Sequence, residues 1–191
     1  MRYPPDHKQQ ARARIIEASG RAFRRHGLGG IGIDGLAREA GVTSGAFYGH
    51  FKSKDAAFAE IAVQGLKDLA AAIVELQAEH GDAWLEHFVD FYLGERRTCE
   101  MAESCGLQSL TPDVMRANAA TREAYEGALQ EVVEIVASGL RSVEPALRGR
   151  RALALLALLS GGVTIARSMA SEEQSEEIAQ ALRVAAIDLT R

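Results

Sequence analysis

Apolar residues recur along this chain at intervals of three and four, and no alternating strand pattern interrupts them. Between residues 8 and 26, Ala11, Ile15, Ala18 and Ala22 step by four, three and four, with Ile16 and Phe23 widening the stripe. That is the period of an amphipathic helix. Asp6 or His7 is placed to start it. Gly27 stops it behind a basic last turn, Arg24-Arg25-His26, which suits the negative end of the helix dipole. The run from Gly27 to Gly32 reads as a loop; it has neither the lysine of a phosphate-cradling loop nor a strand before it. Ile33, Leu36, Ala37 and Ala40 then make one face of a short helix. A turn follows at Gly41-Val42, and a second short helix brings Phe47 and Phe51 beneath the first. Two short helices joined through a glycine carry the helix-turn-helix signature.

With Ser53 as N-cap, a longer helix runs without a clear break to about Glu79, bearing Phe58, Ile61, Ala62, Leu66, Leu69, Ile73 and Leu76 on one stripe. Gly81-Asp82 breaks the chain and caps a helix carrying Trp84, Leu85, Phe88, Phe91 and Tyr92. Residues 94–106 are polar and ambiguous. Thr111-Pro112-Asp113 reads as a helix start, with Thr as N-cap and Pro in the first turn. The helix that follows shows Tyr125, Leu129, Val132, Val133, Val136 and Leu140 and ends between Gly139 and Pro145. An Ala/Leu-rich helix reaches about Met169. Ser171-Glu172-Glu173-Gln174 resembles a capping box before a last helix with Ile178, Leu182, Ala185 and Leu189. The pattern predicts an all-α protein: a three-helix head with a helix-turn-helix, then a helical-bundle body.

Composition fits that reading. The chain has 191 residues, 47% of them apolar and 25% charged, which is enough to bury a core and excludes collagen-like or largely disordered classes. Its net charge of −4 hides a split. Residues 1–55 carry ten Lys/Arg against five Asp/Glu, whereas residues 56–191 carry 12 against 21. A basic head on an acidic body fits a polyanion partner at one end, or simply a solvated cationic face. Two cysteines, Cys99 and Cys105, form no disulfide framework and no zinc pattern. The N-terminus lacks the apolar core of a signal peptide, and the apolar stretch 152–166 reads as too short and interrupted to span a membrane. A cytoplasmic protein, without membrane, metal or cofactor, is expected.

A recognition helix points its N-terminal end at base edges in the major groove. Here that end is Thr43-Ser44-Gly45-Ala46. The hydroxyls pair with several bases and read sequence weakly, and Gly45 and Ala46 allow close approach. Tyr48, His50 and Lys54 have the donors that hold phosphate oxygens, which position the helix without carrying sequence information.

At this point the chain resembles the TetR (tetracycline-repressor-like) family of bacterial transcriptional regulators. The resemblance is carried by Leu36, Ala37, Ala40, Gly41, Val42, Gly45, Tyr48, His50, Phe51 and Lys54, and covers residues 8–69. It implies a DNA-binding domain at 8–69, with the helix-turn-helix at about 32–51, and a ligand-binding and dimerisation domain at 70–191. It implies Thr43, Ser44, Gly45, Tyr48, His50 and Lys54 as the DNA-binding residues. It also implies a homodimer through the last two long helices, about 146–169 and 175–190, on a palindromic double-stranded DNA operator that a small-molecule effector releases. Gly49 departs from the family, which often carries a larger residue there, so operator choice leans on DNA shape.

By the same resemblance Trp84, Phe88, Tyr92, Cys105 and Tyr125 lie in helices that line an effector pocket; aromatic residues at helical spacing equally serve as core. Likewise the two apolar C-terminal helices satisfy either a dimer interface or the monomer core, with Gly161-Gly162 letting helices approach closely. Cys105, at a helix start that lowers a thiol pKa, leaves open a redox- or electrophile-sensing regulator. A helical interaction protein that does not read DNA sequence is the other alternative. An enzyme is not expected: the five histidines are scattered, and no catalytic triad or metal-spaced carboxylate pair appears.

Overall fold

The computed structural model describes residues 5–190, with side chains from residue 9 onward. The side chains of Asp6 and His7, read as helix starts, lie outside the described residues, as does Arg191 at the end of the expected second domain. Among the described residues the secondary structure is entirely helical, as the periodicity predicts.

Helix α1 spans Pro5–Gly30 and breaks at Gly27, whose φ of 73° and ψ of 168° are not helical. A side chain at that φ is strained, so glycine is the residue that lets the chain turn there. Residues beyond it resume one helical turn rather than an open loop. Helix α2 spans Ile33–Glu39 and α3 spans Ser44–Tyr48. The turn between them passes through Gly41 at φ 66°. Thr43 is the N-cap of α3, its Oγ1 accepting from Ala46 N at 3.1 Å.

Helix α4 spans Lys54–His80, and Ser53 caps it as expected, accepting from Ala56 N at 3.0 Å. The domain division read at residue 69 falls inside this continuous helix, so one rigid element runs from head to body. The head core is Ile15, Phe23, Leu36, Phe47 and Phe58, all essentially inaccessible to solvent. Phe23 and Phe58 meet edge to face, with ring centroids 5.4 Å apart.

The body contains α5 (Trp84–Leu93), α6 (Glu95–Thr98), α7 (Gly106–Val114), α8 (Ala119–Gly139), α9 (Arg148–Arg167) and α10 (Glu172–Leu189). Two expected starts are corrected. Thr111 and Pro112 lie inside α7, not at the head of α8. Pro112 leaves only the Gln108 carbonyl without its helical donor, a loss one turn tolerates near a helix end. Thr111 Oγ1 instead contacts both Leu107 O at 2.5 Å and Tyr125 Oη at 2.6 Å. The true N-cap of α8 is Asn118, accepting from Thr121 N at 2.9 Å. Asp82 does not cap α5; a 3-10 turn, Gly81–Ala83, intervenes, and Asp82 faces Arg141 at 3.5 Å. The polar stretch 94–106 resolves into α6, a 3-10 turn and the start of α7.

Residues 145–167 form one helical stretch that is long and apolar enough to cross a membrane, so the reading of a short, interrupted segment is corrected. In this fold Ala152, Leu155, Leu156, Leu159, Val163 and Ala166 of that stretch are buried in the bundle. Gly162 is buried against Leu182 of α10, where a β-carbon would overlap the leucine, whereas nothing lies within 4 Å of the same position on Gly161. The close approach expected of the glycine pair is therefore made within the chain at Gly162, and Gly161 stays exposed.

Candidate nucleic-acid interface

The short α3 separates its residues sharply by face. Phe47 is 0% exposed and Tyr48, its neighbour, is 55% exposed. The two rings meet edge to face at 6.5 Å, and Phe51 packs against Phe47 at 5.3 Å. Burying Phe47 and Phe51 fixes the rotation of α3, and that rotation sets what its other face presents: Thr43, Gly45, Ala46, Tyr48 and Gly49 are all exposed. Ser44 is half-buried, and its hydroxyl donates to Asp34 Oδ1 at 2.5 Å, tying α3 to α2. Asp34 is a residue the sequence reading did not single out; its place in the first turn of α2, ten residues before Ser44, was the available signal.

His50 is half-buried at the end of α3, with its backbone N–H donating to Phe47 O at 2.9 Å. Lys54 does more than the motif implies. Its Nζ donates to Leu28 O at 2.8 Å and to Ile31 O at 3.2 Å, holding the end of α1 against the start of α4. An ammonium has three N–H donors, so one remains after these two bonds. Exposed Lys52 and Arg38 add charge nearby. Arg12 lies over the Phe51 ring at 5.1 Å and pairs with Glu60 at 2.5 Å, so it braces the head.

The structure brings the five expected pocket residues together, four of them as buried packing. Trp84, Phe88 and Tyr92 are 2%, 1% and 1% exposed; Trp84 stacks on Phe88 at 6.1 Å and Phe88 meets Tyr92 edge to face at 5.6 Å, while Tyr125 is 6% exposed. Trp84 Nε1 donates to Gly139 O at 3.1 Å. The Tyr92 hydroxyl is buried beside the weakly hydrogen-bonding Cys105 thiol, and burial raises its pKa well above the ordinary tyrosine value. Burial also raises Tyr125, against the opposing effect of its bond to Thr111. Cys105, half-buried at the N-cap of α7, lines a cavity of about 210 Å³ bounded by α1, α4, α6 and α7. Cys99 and Cys105 are both free thiols.

Residues 15–61, from the middle of α1 into α4, match the family described as bacterial regulatory proteins, tetR family. The chain resembles the TetR family over that segment. It is 30% identical over 84 residues to the HTH-type transcriptional repressor SCO4008 of Streptomyces coelicolor, covering 44% of this chain and 43% of that protein. It is 43% identical over 54 residues to the HTH-type transcriptional regulator TtgR of Pseudomonas putida, covering 28% and 26%. The aligned segments thus span less than half the length of these relatives. Over the whole fold, the reduced form of Escherichia coli NemR superposes with a TM-score of 0.76 at 19% identity, covering 91% of this chain and 95% of that one. The body therefore shares the fold of that structure while its sequence diverges.

Proposed function

We propose that this chain is a transcriptional regulator, a repressor that binds a palindromic operator as a homodimer and responds to a small-molecule effector. The observation that carries it is the exposed Tyr48 ring directly beside the buried Phe47. A large aromatic left mostly in solvent beside a core anchor adds little to the fold, and its hydroxyl is suited to a phosphate. In this reading residues 8–69 bind DNA, Thr43, Ser44 and Gly45 lie against the bases, and Tyr48, His50 and the remaining Lys54 donor hold the backbone. Residues 70–191 bind the effector and the second copy. Leu153, Ile165 and Val184, exposed at 51%, 57% and 63% on α9 and α10, support that second role. Trp84, Phe88, Tyr92 and Tyr125 would have to repack for an effector to enter between them. The soluble, DNA-bound life of such a regulator places it in the cytoplasm.

A second reading, a regulator sensing an oxidant or electrophile, is favoured by the Cys105 thiol lining a cavity with Arg24 and Arg96. It predicts that Cys105→Ser abolishes any response to thiol-reactive compounds.

The test is binding of the purified protein to DNA upstream of its own gene across a salt series. Saturable, sequence-dependent binding with a log–log salt slope of about −0.9 per phosphate contact supports the reading. Equal binding to random DNA at all salts overturns it in favour of a helical interaction protein.

A further inference from the structure

Arg24 is a half-buried charge of the head with few partners. A guanidinium carries five N–H donors. Among the described residues Arg24 makes one hydrogen bond, a long one of 3.3 Å from Nη1 to Ala102 O, while its Nε is buried without a partner. It forms no ion pair among the described residues. The carboxylates near it are engaged elsewhere: Glu103 pairs with Arg21 at 2.7 Å, and Asp68 accepts from Gln64 at 2.8 Å. Burial lowers the Arg24 pKa, partly offset by Cys105, Asp68 and Glu103, and the charge of Arg96 adds to the lowering. A half-buried cation without a counter-ion is costly, and a fold retains one where something outside the chain supplies the acceptor.

The surroundings provide room for that acceptor. Arg24 and Arg96 line the same 210 Å³ cavity, together with Asp68, Glu103 and Cys105. Arg96 is held in place by stacking on Phe91 at 4.8 Å and by a 2.7 Å bond to Glu103 O, which leaves further guanidinium donors on its other edge. A larger cavity of about 420 Å³ between α1 and α4 shares Arg24, Gly65, Asp68 and Glu103 as walls and is open to solvent, so small solutes have a route in.

We propose that this junction cavity is a binding site for a small oxyanion, a carboxylate or phosphate group, held by Arg24 of α1 and Arg96 of α6. The planar fork of Arg24 takes two oxygens of such a group side by side, and Arg96 supplies the second charge. Asp68 and Glu103 at the rim disfavour highly charged anions and favour a compact one. Because Arg24 belongs to the head and Arg96 to the body, the bound anion ties one to the other. Its consequence for operator binding rests on the regulatory reading above, whereas the binding itself does not.

The experiment uses the full chain and two probes, inorganic phosphate and succinate, against chloride at equal ionic strength. Binding is read from the Arg24 Nε–H resonance and from the melting temperature. The expected result is a saturable shift of both in the wild type with at least one probe, with the melting-temperature response about tenfold weaker in Arg24→Gln and both responses about tenfold weaker in Arg96→Gln. Response to phosphate alone or to succinate alone identifies which oxyanion the site takes. Circular dichroism verifies that each variant is folded; should one fail, the other carries the comparison. No shift with either probe, or equal melting-temperature shifts in wild type and both variants, overturns the site. Operator affinity is then measured with and without the probe. Saturable binding that leaves operator affinity unchanged overturns the effector role alone, and absence of any operator binding overturns the regulatory reading alone.

Discussion

Asp113 Oδ2 accepts the backbone N–H of Leu28 at 2.8 Å, so a side chain of α7 holds the last turn of α1. The bond joins residues 85 positions apart, one in the head and one in the body. Lys54 completes the clasp from the other side, donating to Leu28 O. Both backbone polar groups of Leu28 are thus satisfied by side chains from distant helices. A hydrogen bond to a charged group contributes about 1.5–3 kcal/mol. Asp113→Ala is expected to lower stability by about that amount and to speed hydrogen exchange at the Leu28 amide. Unchanged exchange at Leu28 would show that the clasp is not held in solution.

Tyr48 and Lys54 separate recognition from folding. Tyr48 is 55% exposed, so Tyr48→Ala should leave the melting temperature unchanged while weakening operator binding. Lys54→Met should weaken operator binding and also lower stability by about 1–3 kcal/mol, because the Leu28 and Ile31 carbonyls lose a charged donor. Fluorescence anisotropy with labelled operator and thermal denaturation check the two effects. Normal DNA binding by the Tyr48→Ala, Lys54→Ala double variant would remove the assignment of this head.

The exposed apolar residues of α9 and α10 make a prediction about assembly. Ile165 and Val184 are 57% and 63% exposed and pack little within the chain. Glutamate at either should therefore leave helicity intact and shift the protein from dimer to monomer. Light scattering behind size exclusion, at matched concentration, reads the mass. A variant that stays dimeric would place the interface elsewhere.

Tyr92 gives a pH dependence whose sign follows from burial. Its folded pKa is raised well above the ordinary value of 10.0, so the fold keeps a proton that the unfolded chain releases. Its stabilising effect is whole below that value and is lost as pH rises past it. Denaturant melts should therefore show stability falling above about pH 10, by up to about 1.4 kcal/mol per pH unit for this proton. Tyr92→Phe should flatten that fall by one proton and leave stability at pH 7 unchanged or slightly higher, since it removes a buried hydroxyl with only a thiol beside it.

The sequence by itself determined the helical class, the head and most caps, because these are local. Period, Ser53 and Ser171 at their caps, and Gly27 and Gly41 at left-handed turns all act within a few residues of where they stand. The separation of Phe47 from Tyr48 was legible for the same reason, since one step along a short helix turns a side chain from the core to solvent. The start of α8 was not, because Thr111-Pro112 has the local chemistry of a helix beginning and only the Tyr125 hydroxyl, packed across from Thr111, shows why α7 runs on through it.

What the tertiary structure decided are the relations between distant charges. Lys54 has the chemistry of a phosphate ligand in any sequence, and only packing brings the Leu28 and Ile31 carbonyls to it. Arg24 reads as one of three basic residues in a last turn, and only burial beside Arg96, with Asp68 and Glu103 bonded elsewhere, leaves it without a counter-ion. Electrostatic energy depends on separation and solvent exposure, and neither is written in the spacing of residues along a chain.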